Sequence, residues 1–257
     1  MDQKDMYTLV PQKLREIEKE YGIRVLYAAE SGSRAWGTCL EDSDFDIRFI
    51  YIRPLESYLK LEEEKDVLEF PISEGWDMCG WDIRKLLKLL HHANSQIYEW
   101  FASPVVYVDE GFSQRIRPLL EGYFSVKTTC YHYLHQGDLK RKKAIHSPQP
   151  KVKHYLYILQ HLSCTRWVLT RGEPVPVDYR AVTALLEDAP RKAAEEILAR
   201  KLAGERFIDP EPWLDAWIEA ERARLSEAVA RLPQEEKPDW EPLDQFFLSE
   251  SGDGSAG

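Results

Sequence analysis

The sequence predicts an α/β (α+β) protein in which a small mixed sheet, backed by helices, is followed by an α-helical domain. Two strand-type runs, 23–29 and 45–52, rich in Ile, Val, Leu, Phe and Tyr, flank a Gly-Ser turn. Helical periodicity alternates with such runs in the first part of the chain. Beyond residue 109 the pattern is helical almost throughout, broken by prolines at 148, 150, 174, 176, 190, 210 and 212. The expected division is a sheet core over 1–108, a helical domain over 109–248 and a disordered tail over 249–257.

Taken in order, residues 11–21 read as an amphipathic helix, with Leu14 and Ile17 inward and Lys and Glu outward, stopped by Gly22. The strand at 23–29, the turn and the strand at 45–52 follow, and Arg53-Pro54 ends the last of these. Residues 58–61 and 66–70 flank an acidic patch at 62–64 that has the composition of a solvated loop. Asp77 falls on a further strand. Asp82 is placed to cap a helix over 83–91, a role worth roughly 0.5–2 kcal/mol. A short helix over 96–102, broken by Ser103-Pro104, precedes a last strand at 105–108. Helices are then expected at 112–120, 126–145, 152–170, 179–185, 191–202 and 213–232. The acidic end, 234–257, finishes in Gly and Ser, a composition that favours disorder. Trp240, Leu243, Phe246 and Phe247 are too apolar for a free tail and are expected to dock on the body.

Composition excludes several classes. A chain of 257 residues, 44% hydrophobic and 30% charged, is ordinary for a globular protein with room for a sizeable core. The net charge of −10 argues against a long, salt-driven nucleic-acid interface. Cys39, Cys79, Cys130 and Cys164 are scattered without a CxxC pair, which favours reduced, mostly buried thiols over a disulfide framework. No run is long and apolar enough to span a bilayer, and no signal pattern opens the chain; the expected compartment is the cytoplasm, with no membrane partner.

The chemistry concentrates at Gly32-Ser33-Arg34-Ala35-Trp36-Gly37 followed by Asp44-Phe45-Asp46, a G-S-x10-D-x-D spacing. Strand alternation turns Asp44, Asp46 and Arg48 to one face and Phe45 and Ile47 to the core. Adjacent carboxylates repel each other and tend to hold a proton, a conflict that a divalent cation removes. Hard oxygen ligands favour Mg²⁺ (or Mn²⁺) bound together with substrate phosphates. Gly32 has no Cβ and permits close backbone approach to a ligand. Ser33 offers a hydroxyl and an amide at the start of a short helix, where phosphate is favoured. A phosphate cradle facing a two-acid metal site is the equipment for phosphoryl or nucleotidyl transfer from a nucleoside triphosphate.

Residues 30–37 together with 42–51 resemble the DNA polymerase beta nucleotidyltransferase superfamily, and within it the bacterial and phage branch of RNA-repair-pathway polymerase-beta proteins. Gly80-Trp81-Asp82-Ile83-Arg84-Lys85 is similar to that branch's G-W-D-L-R-K segment. Residues 94–104 match its N-P-x-x-x-E-W-x-x-S-P pattern, with Ser95 in place of Pro. The likeness is strong over 27–107 and weaker in the helical remainder. It implies a metal-dependent transferase core with Asp44 and Asp46 as metal ligands and a third acid on the next core strand. Asp77 is the favoured third acid. Asp82 is the rival, although a helix cap is job enough for it. The resemblance also implies that a basic helix of the second domain closes over the triphosphate. Lys153 and Arg166 lead among the Lys and Arg of 127–171, and the Lys140–Lys143 run reads as a solvated helix end. Tyr131, Tyr133, Tyr155, Tyr157 and Trp167 interleave with these charges; helical spacing makes most of them core, though such rings can stack a base.

The implied mechanism uses two Mg²⁺ ions roughly 3.5–4 Å apart. Asp44, Asp46 and Asp77 hold them while Ser33 and its neighbouring amides hold phosphates. Arg34 is a candidate phosphate contact. Arg48 is either a ligand for a triphosphate oxygen or the reacting hydroxyl, or an ion-pair partner of Asp46 or another acid. The acceptor is left open between an RNA end, a small hydroxylated metabolite and a protein side chain. Other classes are a non-catalytic NTP-sensing module and a phosphohydrolase. A P-loop is rejected because its Lys is missing and Asp44 and Asp46 would go unexplained, and a nucleophilic Ser33 lacks G-x-S-x-G. The His and Cys of 130–135 and 161–164 form incomplete sets for structural zinc.

Overall fold

The computed structural model describes residues 3–73, 75–145, 147–236 and 238–252. The first helix, α1 (Gln3–Tyr21), begins well before the expected residue 11. Pro11 lies inside it and removes one backbone hydrogen bond. Met6, Val10, Leu14 and Ile17 nevertheless form one buried stripe, and that burial holds the helix together across the proline. Then come β1 (Arg24–Glu30), the single-turn α2 (Gly32–Ala35), β2 (Phe45–Ile52), the short α3 (Leu55–Tyr58), β3 (Val67–Glu69), β4 (Trp76–Asp82), α4 (Ile83–His91), α5 (Ser95–Phe101) and β5 (Val106–Asp109).

The five strands form one mixed sheet in the order β3-β4-β2-β1-β5. Only β2 and β4 run parallel; β1 pairs antiparallel with β2 and β5, and β3 antiparallel with β4. Alternation along β2 sorts its two faces. Phe45, Ile47, Phe49 and Tyr51 pack with Met78 against the α1 stripe. On the opposite face Ile50 and Ile52 lie under α4 and α5, whereas Asp46 and Arg48 sit at the uncovered end of the same row. The sheet thus buries half of one face and leaves the other half polar and open.

The segment matching G-W-D-L-R-K is built for packing at this junction. An added Cβ on Gly80 would lie 2.3 Å from two ring carbons of Phe49, so only glycine fits there. Trp81 packs on Trp100, ring centroids 4.0 Å apart. Asp82 accepts from the Arg84 amide at 2.8 Å and from Tyr58 Oη at 3.0 Å. It caps α4 at the end of β4 remote from Asp77, a structural role that accounts for it fully.

The remainder is helical: α6 (Phe112–Gly122), α7 (Val126–Ala144), α8 (Val152–Arg171), α9 (Tyr179–Thr183), α10 (Asp188–Leu202), α11 (Pro212–Ala230) and α12 (Glu241–Gly252). A second core gathers α7 to α11 around Tyr133, Tyr155, Leu159, Tyr179 and Ile218. Phe112 and Ile116 of α6 and Leu243 of α12 belong instead to the apolar cluster of the sheet, so by packing these two helices go with the first core. Phe246 and Phe247 dock there as expected, and Trp240 stacks on His91 with centroids 3.5 Å apart. Helix α12 continues past the expected tail boundary at 249. Residues 249–252 are the last turn of α12, where buried Glu250 takes Arg115 Nε at 2.6 Å and Nη2 at 2.9 Å. Residues 253–257 lie outside the described residues. Among the described residues no helix is long and apolar enough to cross a membrane, and all four cysteines are free.

Gly80→Ala is expected to lower stability by about 1–3 kcal/mol through overpacking against Phe49. The urea midpoint of unfolding reads it, and an unchanged midpoint would contradict the packing described.

Candidate active site

The Gly-Ser turn is wedged between the two cores. On the sheet side, the Ser31 amide donates to Asp46 O at 2.7 Å. Gly32 has φ +59°, and a Cβ there would lie 2.0 Å from Asp46 Oδ2. The expected close approach at Gly32 is therefore made to the acid itself. On the helical side, Trp36 is buried with Ala35 in the second core, its carbonyl accepting from the Tyr179 amide at 3.2 Å. Lys201 Nζ donates to Thr38 O and closes the turn from α10.

Asp46 and Asp77 are direct cross-strand partners in the parallel β2–β4 pair, which turns both carboxylates to the open half-face. Asp44 immediately precedes β2 and is exposed. Burial raises the Asp46 pKa; Arg48 lowers it, and the charges of Asp77 and Asp44 add to the upward pull. Asp77 therefore lies beside Asp46, and Asp44 is close enough for its charge to act on Asp46. Arg48 lies between two of them: Nη2 is 3.0 Å from Asp77 Oδ2 and 3.4 Å from Asp46 Oδ1, and Nη1 donates to Asp77 O at 2.8 Å. Arg48 thus makes an ion pair with each of these two acids. Among the described residues no three Asp, Glu, His or Cys side chains close around a common point as an ion cage. Mg²⁺ does not need one, since it binds through one or two carboxylates and completes its shell with water and phosphate. The donor set of Asp46, Asp77 and Asp44 fits that ion in kind.

A fourth acid supports the pair from behind. Glu30 is fully buried, accepts from the Asp46 amide at 2.7 Å and from Tyr107 Oη, and among the described residues no cationic side chain is hydrogen-bonded to it. Burial pushes its pKa up to about 7. Ser103 Oγ donates to Glu30 O at 2.7 Å, which gives the Ser-Pro of the 94–104 segment its purpose.

Across the turn from the acids lies a cleft of about 270 Å³ lined by Ser31, Gly32, Ser33, Trp36, Thr38, Glu99, Gln136, Lys140, Tyr157, Gln160 and His161. Burial raises the Tyr157 pKa, and the charge of Asp46 adds to it. Glu99 accepts from Tyr133 Oη at 2.9 Å, and burial raises its pKa to about 7. His161 donates Nδ1–H to Tyr157 O, and burial lowers its pKa to about 4, so at neutral pH the ring is uncharged. The buried Gln160 Oε1 has no hydrogen-bond partner among the described residues.

Several expected residues are placed elsewhere. Arg34 is engaged with the loop that carries Asp44. Its guanidinium donates to Ser43 O at 2.6 Å and Asp44 O at 3.2 Å and lies 3.8 Å over the Phe45 ring, clamping the loop that carries Asp44. Arg166 does not face the turn with a free charge: it is held by Glu187 and Glu221, each at 2.8 Å, within the helical core. Lys153 lines a neighbouring cleft with Lys151, Lys201 and Asp42. The lysine on the wall of the turn's own cleft is Lys140, the first residue of the run read as a solvated helix end. Glu99, Gln136 and Gln160 have no role in the sequence reading, and His161 enters it only in an incomplete zinc set. Glu99 had a signal, as the acid of the E-W pair in 94–104.

The buried Glu30 fixes a pH dependence. Below its ordinary value of 4.5 the folded and unfolded chains both hold the proton. Between 4.5 and about 7 only the folded chain does, so stability falls as pH rises through that window. Glu30→Gln is expected to remove this loss and to gain up to roughly 3 kcal/mol on the wild type between pH 5 and 8. Urea unfolding across pH reads it, and parallel curves for the two proteins would contradict it.

Residues 6–249 match the model of the RNA repair pathway DNA polymerase beta family. The chain is 35% identical over 244 residues to the uncharacterized protein YcgL of Bacillus subtilis (strain 168), covering 92% of this chain and 93% of that one. Among solved structures it is similar to a nucleotidyltransferase-like protein from Exiguobacterium sibiricum 255-15, at 15% identity and a TM-score of 0.35, over 85% of this chain and 74% of that one. The chain therefore belongs to the RNA repair pathway DNA polymerase beta family.

Proposed function

We propose that the protein is a metal-dependent nucleotidyltransferase that moves a nucleoside monophosphate from an NTP to a hydroxyl acceptor and releases pyrophosphate. The observation that carries this reading is the register of Asp46 against Asp77, beside a Gly-Ser turn that the fold presses onto Asp46. Asp44, Asp46 and Asp77 would hold Mg²⁺ or Mn²⁺. The bound ion would supply charge neutralisation of the triphosphate and a lower pKa for the acceptor hydroxyl.

The remaining roles fall to the protein's own groups. Ser33 Oγ and the first-turn amides of α2, which lack intrahelical partners, bind the β- and γ-phosphates. Lys140 brings a positive charge to the cleft wall, and Tyr157 offers a ring face to the nucleoside. The acceptor oxygen attacks the α-phosphorus in line. The bond to the β-phosphate oxygen breaks, pyrophosphate leaves, and Asp77 is the base at hand for the proton. Arg34 serves by holding the Asp44 loop in place, and Glu30 by fixing the Asp46 backbone. The family description makes an RNA end the first acceptor to test.

Transfer from each α-³²P-labelled NTP, with Mg²⁺ or Mn²⁺, to RNA ends, protein and small alcohols tests the reading. Asp44→Asn/Asp46→Asn is expected to cut incorporation by roughly a hundredfold or more. Equal incorporation by the double variant would contradict the assignment of the acids. NTP binding with no transfer to any acceptor would favour a sensing module instead.

A further inference from the structure

We propose that Arg48 is the resident cation of the acid pair, occupying the place of a divalent ion between Asp46 and Asp77, so that metal binding expels it and hands it to a phosphate. This rests on the transferase reading above and adds a coupling between metal and nucleotide to it. The observation is the seat of the guanidinium. It is bidentate on Asp77, with Nη1 to Oδ1 at 3.2 Å and Nη2 to Oδ2 at 3.0 Å, and its Nη2 also reaches Asp46 Oδ1 at 3.4 Å. Nη1 donates in addition to Asp77 O at 2.8 Å and Ile47 O at 3.1 Å. Only 19% of the side chain is exposed, so solvent screens these contacts weakly.

Three physical constraints turn this seat into a switch. First, two acids facing each other in register, with a third alongside, need a positive charge close by, and Arg48 is the cation within reach of both. Second, a magnesium ion binds carboxylate oxygens at about 2.0–2.1 Å, and the oxygens it would use are those the guanidinium now engages. Two cations on the same oxygens repel each other. Third, a guanidinium cannot yield by losing its proton, because its pKa is far above neutrality. It yields only by moving. Once displaced it needs another anion, and its planar fork matches a phosphate bidentately. Arg48 stands on the same open half-face as the acids, where the triphosphate would arrive. A metal arriving alone therefore breaks the pair with nothing to replace it. A metal arriving with a triphosphate breaks the pair and restores a partner to Arg48. Each ligand then strengthens the binding of the other by the same factor.

The test is Mn²⁺ binding to the full chain, followed by electron paramagnetic resonance, with and without α,β-methylene-ATP. Each titration is corrected for Mn²⁺ held by the free analogue. The proteins are wild type, Arg48→Met, which keeps the apolar stem without the charge, and Arg48→Lys, which keeps the charge without the fork. Wild type is expected to bind Mn²⁺ about tenfold more tightly when the analogue is present, a typical coupling. Arg48→Met is expected to bind Mn²⁺ alone about tenfold more tightly than wild type, with most of the coupling lost. Its melting temperature, lowered without metal, is expected to recover on adding Mn²⁺. Arg48→Lys is expected to bind Mn²⁺ alone as weakly as wild type. Equal or weaker Mn²⁺ binding by Arg48→Met, in a protein that melts cooperatively, would overturn the proposal and leave the transferase reading standing. No Mn²⁺ binding by wild type or either variant, with or without the analogue, would overturn both.

Discussion

The contact between Gly32 and the carboxylate of Asp46 is the constraint on which the rest of the site depends. A glycine with φ +59° leaves no room for a Cβ, because Asp46 Oδ2 already fills that space. The turn is thereby laid directly against the acid strand, and the Ser31 amide bonded to Asp46 O fixes the register of the two. In the proposed reading, a phosphate on the first turn of α2 and a cation on Asp46 would then be neighbours. The same contact explains why the motif needs glycine followed by serine: the first residue makes the approach possible and the second faces the cleft it creates.

Each face of this turn belongs to a different core. The sheet core supplies the acids and the buried Glu30 behind them. The helical core takes in Ala35 and Trp36 and brings Lys140, Tyr157 and His161 to the opposite wall. The charge arrangement is correspondingly asymmetric. Acids crowd the sheet side, where burial and mutual repulsion raise the Asp46 pKa. On the helical wall the groups are a lysine, a neutral imidazole, amides and Glu99, whose acid form burial favours. A substrate that is anionic at one end and polar but uncharged at the other suits such a cleft, and a nucleotide has that form.

Much of this was legible in the sequence because the signals were local. The alternation of 45–52 fixes which residues of β2 face the core, and the structure has the strand at Phe45–Ile52. Asp82 before a helical run is a cap, and its side chain accepts from the Arg84 amide. Leu243, Phe246 and Phe247 dock as their apolarity requires. What was not legible depends on rotation and long-range pairing. Lys140, Lys153 and Arg166 all lie on helix surfaces, and nothing local says which of them turns toward the cleft. That is set by how α7 and α8 pack, and by Glu187 and Glu221, remote in sequence, which claim Arg166. Arg34 escaped for a related reason, since its partners are backbone carbonyls of a loop whose path no side chain encodes. Pro11 hid the first half of α1 because the sequence rule for a helix interior is strict, whereas the Met6–Ile17 stripe is strong enough to override it.

The measurement that bears most directly on the central claim is a crystal structure of the protein soaked with Mn²⁺ and α,β-methylene-ATP, with manganese located by its anomalous scattering. The account predicts a manganese peak against the carboxylates of Asp46 and Asp77, and the β- and γ-phosphates on Ser33 and the first turn of α2. Manganese away from these acids, or a triphosphate bound in the cleft of Lys151, Lys153 and Lys201 with the Gly32–Ser33 turn untouched, would contradict it.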